Sequence, residues 1–125
     1  MNVVDSSGWL EYFTNGPNAD FFATAIEDLE QLIVPSLSIY EVFKWVFGQR
    51  GEGDALQAVA QMMQGRVLDL NSHLALASAK LSLDLRLPMA DSVILATARA
   101  HKATLWTQDT DFEGLAGVEY VAKKT

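Results

Sequence analysis

Short apolar runs separated by segments with helical spacing limit the fold of this chain more than any other feature. Five runs are predicted as strands, at residues 3–4, 32–34, 66–70, 104–107 and 118–121. Helices are predicted from about residue 8 onward and at residues 20–29, 38–47, 54–63, 72–85 and 90–100. Strands that alternate with helices favour a mainly parallel sheet with helices on both faces. The predicted fold class is therefore α/β, with right-handed crossovers between strands.

The size and composition of the chain predict one domain that spans residues 1–125. Half of the residues are apolar, which is enough for a continuous core, and there is no cysteine. Disulfides, thiolate zinc sites and cysteine nucleophiles are thereby excluded, so a metal would need oxygen or imidazole ligands. The start of the chain lacks the pattern of a secretory signal, and no run reaches the ~18 apolar residues of a membrane span. We expect a cytoplasmic protein with no membrane partner.

The net charge of the chain is −7, which argues against a broad basic surface for nucleic acid. A nucleic-acid substrate would have to be bound locally. Divalent cations held in an acidic pocket would reverse the sign of the field there, so the charge is compatible with such a substrate.

Acidic residues recur where a predicted strand gives way to a helix or where a helix begins. Asp5 follows the first strand, Glu41 and Asp91 lie early in helices, and Asp109 and Asp111 follow the strand at residues 104–107. Ligands of open α/β sheets collect beyond the carboxyl ends of the strands. We therefore expect these side chains to converge at one edge of the sheet.

Several carboxylates within a few ångströms of one another would bind protons or recruit a cation. Hard divalent ions suit oxygen ligands, and such an ion can activate water and stabilise charge on a phosphodiester. Each residue also has an ordinary structural role open to it. Asp5 can cap a helix, Glu41 can complete a capping box with Ser38, Asp91 can favour a helix N-terminus, and Asp109 can shape a turn. Only their combination favours a metal site and phosphodiester hydrolysis.

Four segments of the chain also carry a family resemblance: Val3-Val4-Asp5-Ser6-Ser7, Ser38-Ile39-Tyr40-Glu41-Val42, Leu87-Pro88-Met89-Ala90-Asp91-Ser92-Val93-Ile94 and Leu105-Trp106-Thr107-Gln108-Asp109-Thr110-Asp111-Phe112. Together they resemble the PIN-domain family, especially its VapC-like toxins. The motifs occur in the family's order with similar separations, so the resemblance covers essentially the whole chain.

The resemblance implies a three-layer α/β/α sandwich and a magnesium- or manganese-dependent endoribonuclease, the toxin of a toxin-antitoxin pair. It implies that RNA is cleaved by a water that the metal activates. It also implies a cognate antitoxin as partner and a homodimer. The residues that match the family's catalytic and metal-binding acids are Asp5, Glu41, Asp91 and Asp109, with Asp111 as a fifth acid used in some members and the hydroxyls of Ser6 and Thr107 in support.

Two other functions are compatible with an acidic α/β chain. A catalytically silent PIN-like module that binds a partner protein is favoured by the net charge and by Gln108 and Thr110, which are uncharged where many relatives carry a basic residue. A phospho-acceptor receiver domain is disfavoured because only Asp5, and not an acidic pair, ends the first strand. Lys123 and Lys124 are interpreted as an ordinary charged tail.

Overall fold

The computed structural model of the protein describes residues 1–124. In this part of the chain five strands form one sheet: β1 (Asn2–Val4), β2 (Leu32–Pro35), β3 (Arg66–Leu68), β4 (Thr104–Thr107) and β5 (Val118–Tyr120). The α-helices are α1 (Ser6–Phe13), α2 (Ala19–Ile26), α3 (Ser36–Arg50), α4 (Glu52–Met62), α5 (Ser72–Leu85) and α6 (Met89–Ala100). Short 3₁₀ turns occupy Leu29–Gln31 and Thr110–Phe112.

All neighbouring strands of the sheet are parallel, in the order β3-β2-β1-β4-β5. The chain starts in the middle strand, builds outward to β3, and returns to add β4 on the other side. The order therefore reverses between β1 and β4, the position at which open α/β sheets form a ligand crevice. The backbone N–H of Asp5 donates to the carbonyl of Trp106 at 3.1 Å, so the ends of β1 and β4 lie side by side.

Side chains that alternate along the strands divide the core into two layers. Val4, Leu32 and Val34 pack into a cluster with buried residues of α1, α2, α3 and α4. Val3 and Ile33 face the other way, into a cluster that includes buried residues of α6. The three-layer α/β/α sandwich with a parallel sheet is thus confirmed, and no helix of residues 1–124 has the length and apolar character needed to cross a membrane.

The start of α3 differs from the prediction of a capping box. The helix begins at Ser36, directly after Pro35, so Ser38 is its third residue and not its cap. Ser38 is fully buried, and its Oγ has no hydrogen-bond partner among the described residues. The predicted capping pair with Glu41 is therefore wrong, because β2 ends at Pro35 and the helix begins directly after it, which places the cap three residues before Ser38. Glu41 consequently lies in the second turn of α3.

Other helix and strand boundaries move by a few residues. α3 continues past the predicted residue 47 to Arg50, and Gly51, where φ is +90°, follows its last residue. α2 ends at Ile26, short of the predicted residue 29, because a separate 3₁₀ turn leads into β2. β3 and β5 end at Leu68 and Tyr120, two residues and one residue early.

Candidate metal centre

Three aspartates form the tightest acidic group in the described part of the chain. Asp91, Asp109 and Asp111 each offer a carboxylate oxygen, and these oxygens all lie within 4.8 Å of one another. Asp91 is the third residue of α6, whereas Asp109 follows β4 and Asp111 lies in the 3₁₀ turn after it. The structure therefore includes Asp111 in the tightest group, although the resemblance treats it as an acid used in only some members.

Hydrogen bonds within the loop after β4 set the position of Asp109. Its backbone N–H donates to Thr107 Oγ1 at 2.9 Å, and its Oδ1 accepts from the N–H of Asp111 at 2.9 Å. Its carbonyl accepts from the N–H of Phe112 at 3.1 Å, and the ring of Phe112 is fully buried. Buried Phe112 anchors the loop, and the side chain of Asp109 closes a turn within it. The carboxylates of Asp109 and Asp111 therefore lie at the edge of the sheet.

Asp5 adjoins this group and is almost fully buried, with 3% of its surface exposed. As the cap of α1 it accepts from the N–H of Gly8 at 2.9 Å. The Oγ of Ser7 donates to both of its carboxylate oxygens at 2.9 and 3.0 Å, and Thr107 Oγ1 donates to Oδ2 at 2.7 Å. Because Thr107 also accepts from Asp109, one hydroxyl links the acids at the ends of β1 and β4.

Glu41 is joined to the site through Ser6. The Oγ of Ser6, the first residue of α1, donates to Glu41 Oε1 at 2.6 Å. Glu41 is not part of the group whose oxygens lie within 4.8 Å. The predicted site residues are therefore arranged as three close aspartates, an adjoining Asp5, and Glu41 held through a serine.

Burial and mutual repulsion raise the pKa of two of these carboxyls. Burial raises the pKa of Asp5 to about 6, although the bonds from Thr107, Gly8 and Ser7 oppose the rise. Burial, then the charge of Asp109 and a hydrogen bond with Asp111, raise the pKa of Asp91 to about 7. Carboxyls in this state keep their protons to a higher pH than exposed aspartates do, unless a cation replaces the protons. A set of oxygen donors of this kind fits Mg²⁺ or Mn²⁺.

A match to a family model decides to which family the chain belongs. Residues 3–118 match the model of the PIN domain, which is nearly the whole chain. The chain belongs to the PIN domain family. Comparison of this PIN domain with curated proteins found no match at the sequence level.

Several solved structures share the fold of this PIN domain. A toxin-antitoxin complex from Klebsiella pneumoniae has a TM-score of 0.80 at 22% identity, over 95% of this chain and 96% of that one. VapC20 of Mycobacterium tuberculosis, a toxin that cleaves the sarcin-ricin loop, has a TM-score of 0.79 at 16% identity, over 95% and 98% of the chains. VapBC2 from Rickettsia felis, bound to a promoter DNA fragment, has a TM-score of 0.74 at 13% identity, over 95% and 97%.

A buried amide pair beside the site was missed by the sequence analysis. The side chain of Asn18 donates to Gln108 Oε1 at 2.9 Å, and both residues are buried. Gln108 directly precedes Asp109 in the loop. Ninety positions separate the two amides, and no local pattern in the sequence signals such a contact.

The raised pKa values predict that the metal-free PIN domain loses stability as the pH rises. The folded state holds protons on Asp5 and Asp91 that the unfolded chain has already released, so stability is present at low pH and is lost through about pH 6 and 7. Between pH 5 and pH 7.5 Asp5 alone should lower the free energy of unfolding by about 1 kcal/mol. Urea unfolding in chelator at the two pH values measures this change in the free energy of unfolding. Asp5→Asn should flatten the dependence, and an equally steep dependence in that variant would contradict the assignment.

Proposed function

We propose that this PIN domain is a magnesium- or manganese-dependent endoribonuclease and the toxin of a toxin-antitoxin pair. The observation that carries the proposal is the convergence of Asp91, Asp109 and Asp111 within 4.8 Å, beside the buried Asp5. Such a group is electrostatically unfavourable without a cation. The shared fold with a toxin that cleaves the sarcin-ricin loop supports RNA as the substrate.

The residues that would hold the metal are Asp91, Asp109, Asp111 and Asp5, with Glu41 as a further acid at the margin. A bound divalent ion at this site supplies Lewis acidity, lowers the pKa of water and neutralises charge on the RNA phosphate. The chain's own residues orient the ligands. Thr107 fixes Asp5 relative to Asp109, and Ser6 fixes the rotamer of Glu41, which is the role that outer hydrogen bonds play at metal sites.

The proposed partners follow from the same assignment. Because the similar structures include a toxin-antitoxin complex and VapBC2 on promoter DNA, we propose a cognate antitoxin that inhibits this chain. We also propose a homodimer and a cytoplasmic location, where an RNA substrate would be met. Co-purification with the product of a neighbouring gene tests the proposed antitoxin. The mass of the free protein in solution tests the proposed homodimer.

Metal removal tests the reaction directly. We expect the purified protein to cleave at least one member of a panel of structured RNAs in Mg²⁺ or Mn²⁺, and to lose that activity in chelator because the carboxylates then repel the phosphate. Titration calorimetry with Mn²⁺ alone provides a control that needs no substrate. Cleavage that persists in chelator would exclude the metal mechanism, and absence of both cleavage and Mn²⁺ binding would favour the silent interaction module.

A further inference from the structure

A small pocket beside the acidic site contains one basic side chain near the end of the chain. The pocket has a volume of about 330 Å³ and is lined by Ser7, Gln108, Asp109, Thr110 and Lys123. Lys123 is the one cation among these lining residues. Asp109 belongs to the acidic group, so Lys123 lines a pocket that one member of that group also lines.

Specific hydrogen bonds hold the backbone that carries Lys123. The N–H of Val121 donates to the carbonyl of Thr107 at 3.0 Å, and Asn18 Nδ2 donates to the carbonyl of Ala122 at 3.0 Å. A carbonyl can only accept, so this contact also defines which atom of the Asn18 amide is the nitrogen. The same Nδ2 donates to Gln108 Oε1.

The hydrogen bonds of Asn18 with Gln108 and Ala122 are costly to break, because they involve buried polar groups. Asn18 and Gln108 are 3% and 6% exposed, and an unpaired buried amide destabilises a protein by about 1–3 kcal/mol. The pair is therefore constrained to stay together, and it holds Ala122 close to the loop that carries Gln108 and Asp109. The segment before Lys123 is consequently part of the site's framework and not a free tail.

We propose that Lys123 binds a phosphate of the RNA strand next to the one that is cleaved, and that Asn18 is the residue that positions it. The inference rests on the proposed ribonuclease function. A site built from carboxylates on a chain of net charge −7 repels every phosphate that the metal does not itself neutralise. A lysine at the rim offsets that repulsion. Its ammonium is a compact charge on a flexible side chain, so it can bind a backbone phosphate whatever the neighbouring bases are.

The adjacent lysines provide a matched comparison for the test. With the RNA that wild-type protein cleaves best, Lys123→Ala should raise KM about fivefold and change kcat by less than about twofold, because a contact with a non-reacting phosphate contributes to binding. The slope of log kcat/KM against log salt concentration should fall by about 0.7, the value for one contact to a single strand. Lys124→Ala removes the same charge one residue away and should change neither quantity, while Lys123→Arg should restore the wild-type slope.

Equal salt slopes for Lys123→Ala and Lys124→Ala would overturn the proposal, even if both variants bind RNA less tightly. That outcome leaves the ribonuclease assignment intact, because wild-type cleavage and its loss in chelator are measured in the same series. If wild-type protein cleaves no RNA of the panel, the proposed function fails and the role of Lys123 fails with it.

The role of Asn18 has its own measurement, which does not depend on activity. Asn18→Ala removes the side-chain donor to the carbonyl of Ala122 and should speed amide hydrogen exchange at Val121. Asn71→Ala removes a side-chain acceptor from the N–H of Leu74 and should not change exchange at Val121. Asn18→Ala should also raise KM, with no further rise when it is combined with Lys123→Ala. Independent, additive effects in the double variant would exclude Asn18 as the positioning residue.

Discussion

Asp91→Asn is expected to reduce the rate of RNA cleavage about a thousandfold at saturating metal. A lost carboxylate ligand weakens the neutralisation of charge in the transition state by several kcal/mol, and each ~1.4 kcal/mol is a factor of ten in rate. Asp91 is central to this effect because the charge of Asp109 and a hydrogen bond with Asp111 both act on it. Single-turnover cleavage in Mn²⁺ measures the rate, and titration calorimetry should show weaker Mn²⁺ binding by the same variant.

The matched control for Asp91→Asn is Asp28→Asn, which removes the same charge from an exposed residue. Asp28 precedes β2, at the amino-terminal edge of the sheet and far from the acidic group. The control should retain wild-type activity and metal affinity. Asp91→Asn should remain folded and become more stable than wild-type protein in chelator at pH 7.5, because it removes repulsion. A variant with full activity would exclude Asp91 as a ligand.

Gly8→Ala is expected to destabilise the protein by about 3 kcal/mol, through overpacking at the contact between α1 and the sheet. A Cβ at this position would lie 2.6 Å from Phe22 Cε1 and 2.6 Å from Val4 Cγ1, both in the buried core. The higher helix propensity of alanine, about 1 kcal/mol, cannot offset contacts of this kind. The N–H of Gly8 also donates to Asp5, so displacement of α1 should lower metal affinity as well.

Gly48→Ala is the control that separates packing from propensity. Gly48 lies in α3, and a Cβ there would meet nothing within 4 Å. This variant should therefore be stabilised by about 1 kcal/mol, because only the difference in helix propensity acts on it. Urea unfolding of both variants tests the comparison. Equal stability of Gly8→Ala and wild-type protein would contradict close packing of α1 against Val4 and Phe22.

The order of strands and helices could be predicted from the chain because each element has a local pattern. The apolar run Leu32-Ile33-Val34 marks β2, and Leu105-Trp106 between two threonines marks β4. Helical spacing marks α5 and α6 within one residue of their ends. The prediction was less accurate where two local signals competed. At the start of α3 the Ser38 and Glu41 spacing indicated a cap, but the helix begins at Ser36, directly after Pro35.

The acidic positions could also be identified in advance, because carboxylates that follow strands or begin helices meet at one edge of a parallel sheet. Which of these acids lie closest together could not be predicted from the sequence. Asp111 lies in the closest group and Glu41 lies outside it, and the difference depends on how the 3₁₀ turn at Thr110–Phe112 is anchored by buried Phe112. Anchoring of this kind is a property of packing between distant segments.

The amino-acid sequence by itself determined the α/β class, the parallel sheet and the candidate acids, since each follows from local periodicity and from the geometry shared by all parallel sheets. Only the tertiary structure decided which acids are close enough to share an ion, that Thr107 joins Asp5 to Asp109, and that Asn18 holds the segment before Lys123. These contacts join residues up to 104 positions apart in the chain. They depend on the register of β1 against β4, and no short stretch of sequence specifies that register.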